Sequence, residues 1–145
     1  MRHILIMSSI LMISCVVLAQ EAETCADGAG EVITGAITGD KYCKSNNYMN
    51  WWNAYAWCEG LRMKMIDFNV CECSETIANC ANNKCAEFSG VGRHNHGWMI
   101  STSSANKNYR VRLDDGYISS IERTAYDQGN LFALCKSLPH LGNMD

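Results

Sequence analysis

The chain has 145 residues, twelve Lys plus Arg against fifteen Asp plus Glu, and a formal net charge of −3. No basic run stands out, which argues against nucleic acid as a partner and against a polybasic membrane-surface site. Hydrophobic residues make up 48% of the chain, enough to bury a core, so a disordered chain is excluded.

The first nineteen residues read MRHILIMSSILMISCVVLA. A basic start at Arg2 and His3 precedes an apolar run, and Val17-Leu18-Ala19 supplies the small or β-branched residues of a cleavage site. This is the pattern of a secretory signal. The run falls short of the roughly 20 apolar residues a membrane span needs. Lipidation at Cys15, after Ile13-Ser14, and an uncleaved anchor are the alternatives. Removing nineteen of 145 residues leaves 126, the size of one domain. Nine cysteines then become eight. An even number in an exported chain reads as a disulfide framework, although eight cysteines allow 105 pairings. The expected setting is secreted, cell-surface or periplasmic, without stable membrane insertion once the signal is removed.

Residues 20–31 are small and acidic, a lead-in tied down by Cys25. Glu31 to Tyr42 carries β-branched residues punctuated by Gly35 and Gly39, as an opening strand or hairpin does. Asn50 is a suitable N-cap for a helix through Gly60. Trp51, Ala54, Tyr55, Cys58 and Leu61 recur at helical spacing on one face. Gly60 can end that helix in a left-handed conformation. Met63-Lys64-Met65-Ile66 reads as a short buried strand. Ser74 can start a short helix through Glu75-Thr76-Ile77-Ala78.

From Gly97 the pattern turns to β. Trp98 to Thr102 is a strand. Tyr109, Val111 and Leu113 alternate with Arg110 and Arg112, giving one apolar and one basic face. Asp114-Asp115-Gly116 supplies a tight turn, and Tyr117 to Arg123 returns as the partner. Leu131 to Cys135 is a last apolar strand. One or two helices followed by an antiparallel meander make an α+β chain.

The helix near Trp51-Trp52 with its Cys58, the segment GWMISTSSANKNYRVRLDDGYISSIERT and the terminal LFALC together resemble the C-type lectin-like fold. The resemblance is closest to the C-terminal domains of bacterial collagen-like adhesins, and so implies a bacterial protein. It covers residues 40–136, with 1–19 as signal, 20–39 as lead-in and hairpin, and 137–145 as a tail. The resemblance implies a bridge from Cys58 to Cys135 and a second, in the N-terminal hairpin, from Cys25 to Cys43. That leaves Cys71, Cys73, Cys80 and Cys85 for each other. Cys71 and Cys73 are poorly placed to bridge one another on an extended chain. Each is expected to reach forward to Cys80 or Cys85, in an order the residues leave open.

Sugar-binding members of that family hold calcium with a loop proline and a Trp-Asn-Asp triplet. Here the one proline, Pro139, lies beyond the last strand, and no such triplet is present. Calcium needs six to eight oxygen ligands, which Asp114-Asp115 cannot supply. Calcium-dependent sugar binding is therefore not expected, nor any other metal or cofactor.

Catalytic constellations are missing too. Asp127, His140 and the serines form no recognisable hydrolase motif. Glu59, Asp67 and Glu72 read as solvation of a helix end and a loop, and the chain is too short to resemble the formylglycine-generating enzymes of the same fold. His94 and His96, two apart, could face a zinc or copper ion if extended. The surrounding glycines favour an exposed polar loop. The aromatic set Trp51, Trp52, Trp57, Trp98, Tyr48 and Tyr55 reads as packing, with Trp52 or Trp57 turned away from the Trp51 side. The expected function is non-enzymatic binding of an extracellular glycan or protein. Its surface would be the irregular segment Ser89–Ser104, with Arg93, His94, Asn95 and His96, and the outer face of Arg110 and Arg112. The alternative is a metal-binding or redox protein using Cys71 to Cys85 with His94 and His96.

Overall fold

A computed structural model describes residues 25, 28–71, 73, 77, 80–126 and 130–138. The signal segment with Cys15, Glu72, Asp127, Pro139, His140 and, apart from Ile77, the short helix expected after Ser74 lie outside the described residues.

The architecture is α+β, with one α-helix among the described residues. In chain order the elements are β1 (Gly30–Thr34), β2 (Lys41–Ser45), α1 (Trp51–Gly60), β3 (Met63–Met65), β4 (Lys84–Ser89), β5 (His96–Ser104), β6 (Lys107–Arg112), β7 (Asp115–Glu122), β8 (Leu131–Phe132) and β9 (Leu134–Ser137). They form a four-stranded sheet ordered β1-β2-β9-β3 and a five-stranded sheet ordered β4-β7-β6-β5-β8. Pairing is antiparallel throughout, except that β8 runs parallel to β5.

The β1–β2 hairpin turns at Gly35, whose N–H donates to the Asp40 carbonyl at 2.8 Å. Its turn encloses the buried carboxylate of Glu87, sent across from β4. Burying a carboxylate is costly unless its oxygens are satisfied. Glu87 accepts from the Ile37 N–H at 3.2 Å, the Thr38 N–H at 3.1 Å, the Thr38 hydroxyl, and the Tyr42 hydroxyl at 3.1 Å. A Cβ on Gly35 would collide with that carboxylate and push it off its donors, so glycine leaves room for it here. Burial, reinforced by the Glu87 charge, raises the Tyr42 phenol well above its ordinary pKa.

Helix α1 starts where the sequence indicates. The Asn50 side chain accepts from the Asn53 N–H at 2.9 Å. Ala54 and Cys58 are buried, while Trp51 and Leu61 are half-buried. Tyr55 shares their side of the helix yet remains 38% exposed, so the packed stripe is narrow. The helix end differs from expectation. Gly60 is its last residue, and the left-handed residue is Arg62, at φ 56°.

The apolar run Leu131–Cys135 is two strands rather than one. β8 belongs to the five-stranded sheet, and β9 lies between β2 and β3 in the other. Ala133 makes the crossing, pinned by Ser45: its N–H donates to the Ser45 hydroxyl at 3.0 Å, and its carbonyl accepts from the Ser45 N–H at 3.1 Å. All five residues of the run are buried. A run buried on every side lacks the alternation that would reveal a change of sheet.

Two apolar clusters fill the domain. One packs Tyr42, Ile66, Phe88, Val111, Leu113 and Ile118. The other gathers Ala54, Cys58, Met65, Trp98, Leu131 and Cys135. Four disulfides cross these clusters. Cys25 joins Cys43 and Cys58 joins Cys135, with Cα atoms 5.2 and 5.7 Å apart. Cys71 joins Cys85 at 4.6 Å, enclosing the Cys73–Cys80 bond at 4.8 Å. The Cys58–Cys135 bond spans 77 residues and ties α1 to β9. On a chain-entropy model such a closure contributes about 4 kcal/mol.

Candidate ligand-binding site

The segment expected to be irregular from Ser89 to Ser104 is irregular only over residues 90–95. From His96 the chain is β5, with Trp98 and Met99 fully buried. A bulge in β5, between Trp98 and Thr102, is filled by the buried Asn108. Its amide donates toward the Met99, Ile100 and Ser101 carbonyls at 3.3, 3.0 and 3.1 Å, and its oxygen accepts from Arg123.

Gly90, at φ 74°, turns the chain out of β4. The loop is then held to the β6–β7 turn by its backbone. The Gly90 N–H donates to the Asp114 carbonyl at 2.8 Å, and those of Val91 and Gly92 donate to Leu113, each at 3.0 Å. The Leu113 N–H returns a bond to the Asn95 carbonyl at 2.9 Å. Between this loop and the β1–β2 hairpin runs a groove of 390 Å³, lined by Glu31, Ile33, Lys44 and loop residues including Val91, Arg93 and Asn95. Small-ligand pockets start near 300 Å³.

Lys44 is the unexpected member of this lining. Its side chain is 8% exposed, whereas that of Glu31, its ion-pair partner at 3.0 Å, is 60% exposed. The ammonium also lies 4.0 Å from the centre of the Phe132 ring and 3.4 Å from the Ser45 carbonyl. Nothing in the sequence around Lys44 marks it as buried. It follows a buried cysteine in a strand whose last four residues are all buried, so alternation would have placed it outside.

The residues expected to recognise a ligand divide into two groups. Arg93 and Asn95 line the groove. His94 points outward, its Nδ1 2.7 Å from Asp114 Oδ2. Arg112 Nε is 3.0 Å from Asp114 Oδ1 and 2.9 Å from Asp115 Oδ1, and its Nη2 closes a second bond to Asp115. Asp114 therefore brings His94 and Arg112 together. The bonded pair of Arg112 and Asp115 raises the arginine's pKa and holds the aspartate well below the usual carboxylate range.

Arg110, two residues along the strand, is half-buried and donates from Nε to the Ser119 hydroxyl at 3.0 Å. Its burial lowers its pKa, with the Arg112 charge adding to the effect. The two arginines thus depart from the freely solvated basic face that strand alternation implies. Arg112 is committed to the turn it borders, and Arg110 is tucked against β7. His96 sits on β5 opposite Arg112 and outside the groove lining. Glu59 is exposed on α1, and Asp67 forms a salt bridge with Lys64 at 3.4 Å.

The tryptophans separate as well. Trp98 is fully buried and donates to the Met49 carbonyl at 2.8 Å. Trp51 is half-buried, stacked on Tyr55 with ring centres 5.5 Å apart and approached by Arg123 at 5.3 Å. Trp52 is the outward one, 49% exposed. Trp51, Trp52 and Tyr55 thus form an aromatic face on α1, a second surface separate from the groove.

Among the described residues, no group of three or more His, Cys, Asp or Glu is arranged to hold a metal ion. No helix among them is long and apolar enough to cross a membrane. Comparison with protein-family models and with curated proteins found no match to the chain.

Proposed function

We propose that this chain is a secreted, C-type lectin-like binding module that recognises an extracellular glycan or protein without chemical conversion and without calcium. The observation that carries the reading is the 390 Å³ groove between the β1–β2 hairpin and residues 90–95. Loops fixed on a rigid frame are where recognition residues concentrate. The frame here is braced by four disulfides, bonds of an oxidising compartment. The lectin-like assignment rests on the bridge from α1 to the last strand, the bridged N-terminal hairpin and the Trp98 strand within the five-stranded mixed sheet.

The metal or redox alternative needs free thiolates, and the four clustered cysteines are bonded in pairs. The test combines two measurements on the mature, unreduced protein. Alkylation followed by intact mass should label no thiol, and metal analysis should find no bound zinc. A glycan and protein array should then yield ligands whose binding falls when Arg93 and Asn95 are both changed to alanine. Labelled thiols with bound zinc would overturn the reading. So would ligands whose binding ignores the double variant.

A further inference from the structure

We propose that the groove binds the carboxylate of an acidic sugar on the Lys44 ammonium, and that Glu31 holds this position until the ligand displaces it. This rests on the reading of the groove as the recognition site.

Lys44 is a charge held almost wholly out of water, which is tolerable only with partners. Two of its partners are fixed parts of the fold. The Ser45 carbonyl belongs to the β2 backbone, and the Phe132 ring lies in β8, packed against Tyr48. The third, Glu31, reaches the ammonium from the solvent side of edge strand β1. An exposed carboxylate in such a pair contributes little. Exchanging it for a ligand's carboxylate keeps the ammonium paired and frees Glu31 to be hydrated.

The groove favours that exchange. It contains two cations, Lys44 and Arg93, against one anion, Glu31. Arg93 is exposed at the rim, and its planar guanidinium suits a carboxylate. The rest of the lining suits a polyol better than an apolar peptide side chain. It consists of glycine backbone at Gly90 and Gly92, the amide of Asn95, and only Ile33 and Val91 as apolar surface. A sugar acid, such as a uronate, matches both the charge and the lining.

The experiment titrates glucuronate, glucose and a short glutamate-containing peptide into the intact, disulfide-bonded protein, with amide NMR shifts as the readout. Glucuronate should move the amides of residues 90–95 and of Lys44, and glucose should not. Glu31→Gln should bind glucuronate about two- to fivefold more tightly, because the largely exposed Glu31 carboxylate no longer competes for the ammonium. Lys44→Met should weaken it about tenfold or more, the loss expected for a charged hydrogen bond. If Lys44→Met does not fold, Arg93→Ala must still weaken binding and Glu31→Gln must still strengthen it. Weaker or unchanged binding in Glu31→Gln overturns the displacement. Preference for the peptide, or no response to glucuronate in either protein, overturns the sugar acid. Neutral glycans that shift the groove amides would then leave the binding-module reading standing, whereas silence of the groove toward all array ligands would remove both.

Discussion

The two loops flanking β4 are closed by different forces. On its N-terminal side, Cys71 to Cys85 is shut by one disulfide enclosing another. On its C-terminal side, residues 90–95 are held by backbone hydrogen bonds to the 113–114 turn and by the His94–Asp114 contact. The first region has a polar sequence with few apolar residues besides its cysteines, and so needs covalent closure. The second borders the groove, and its restraints are non-covalent ones that salt or a ligand can shift. The contrast assigns stability to the cysteine-rich loop and recognition to the glycine-rich one.

The most severe way to challenge that division is to open the first loop. Replacing Cys71 and Cys85 together with alanine removes a closure spanning 14 residues and should cost about 3 kcal/mol in urea unfolding. Ligand affinity at the groove, measured where the variant is still folded, should stay within about twofold, since sites without shared partners act nearly independently.

Glu87, on the strand between the two loops, ties β4 to the β1–β2 hairpin turn. Glu87→Ala leaves the Ile37 and Thr38 N–H groups and the Tyr42 hydroxyl without their acceptor. Its expected cost is about 2 kcal/mol by thermal or urea unfolding, set mainly by the buried Tyr42 hydroxyl, since the two N–H groups are only part-buried. A loss near zero would mean that water replaces the carboxylate and that the hairpin turn is not held by it.

Acid probes the Arg112–Asp115 pair that flanks the turn on which the second loop rests. The Asp115 carboxyl has a lowered pKa in the fold, chiefly through its bonds to Arg112. Its stabilisation is therefore fully present above the unfolded aspartate value near 3.9 and is lost as pH falls through the lower folded value. Asp115→Asn should flatten the decline in stability below about pH 4 relative to the parent protein. The smallest effect belongs to Asp114→Asn, which breaks the link between His94 and Arg112. Amide exchange in residues 90–95 should quicken about two- to threefold at low salt and less at high salt, as for an exposed ion pair.

Much of this architecture can be read from local pattern. Asn50 before Trp51 marks the helix start, because a cap needs only a side-chain oxygen and a free N–H nearby. The alternation of Tyr109 and Val111 marks β6, but the turn falls one residue earlier than the acidic pair and Gly116 suggest. β6 ends at Arg112, Leu113 and Asp114 make the turn, and Asp115 and Gly116 already belong to β7. Gly116, at φ 73°, lies so close to the Cys85 carbonyl that a Cβ would collide with it. What escapes local pattern depends on partners distant in sequence. The break at Ala133 is set by Ser45, 88 residues away. Glu87 is buried because a turn 49 residues earlier offers it donors. Lys44 is buried because Phe132 provides a ring face for its ammonium. The candidate site is legible to the same extent: the glycine-rich stretch points to Arg93 and Asn95, but the opposite wall, Glu31 and Lys44, becomes visible only once the two sheets are assembled.

The most direct test of the groove as the recognition site is amide shift mapping of the intact protein with an acidic glycan ligand. The account predicts shifts at Glu31, Lys44 and residues 90–95, with the aromatic face of Trp51, Trp52 and Tyr55 unmoved. Shifts centred on that aromatic face, with the groove silent, would contradict it.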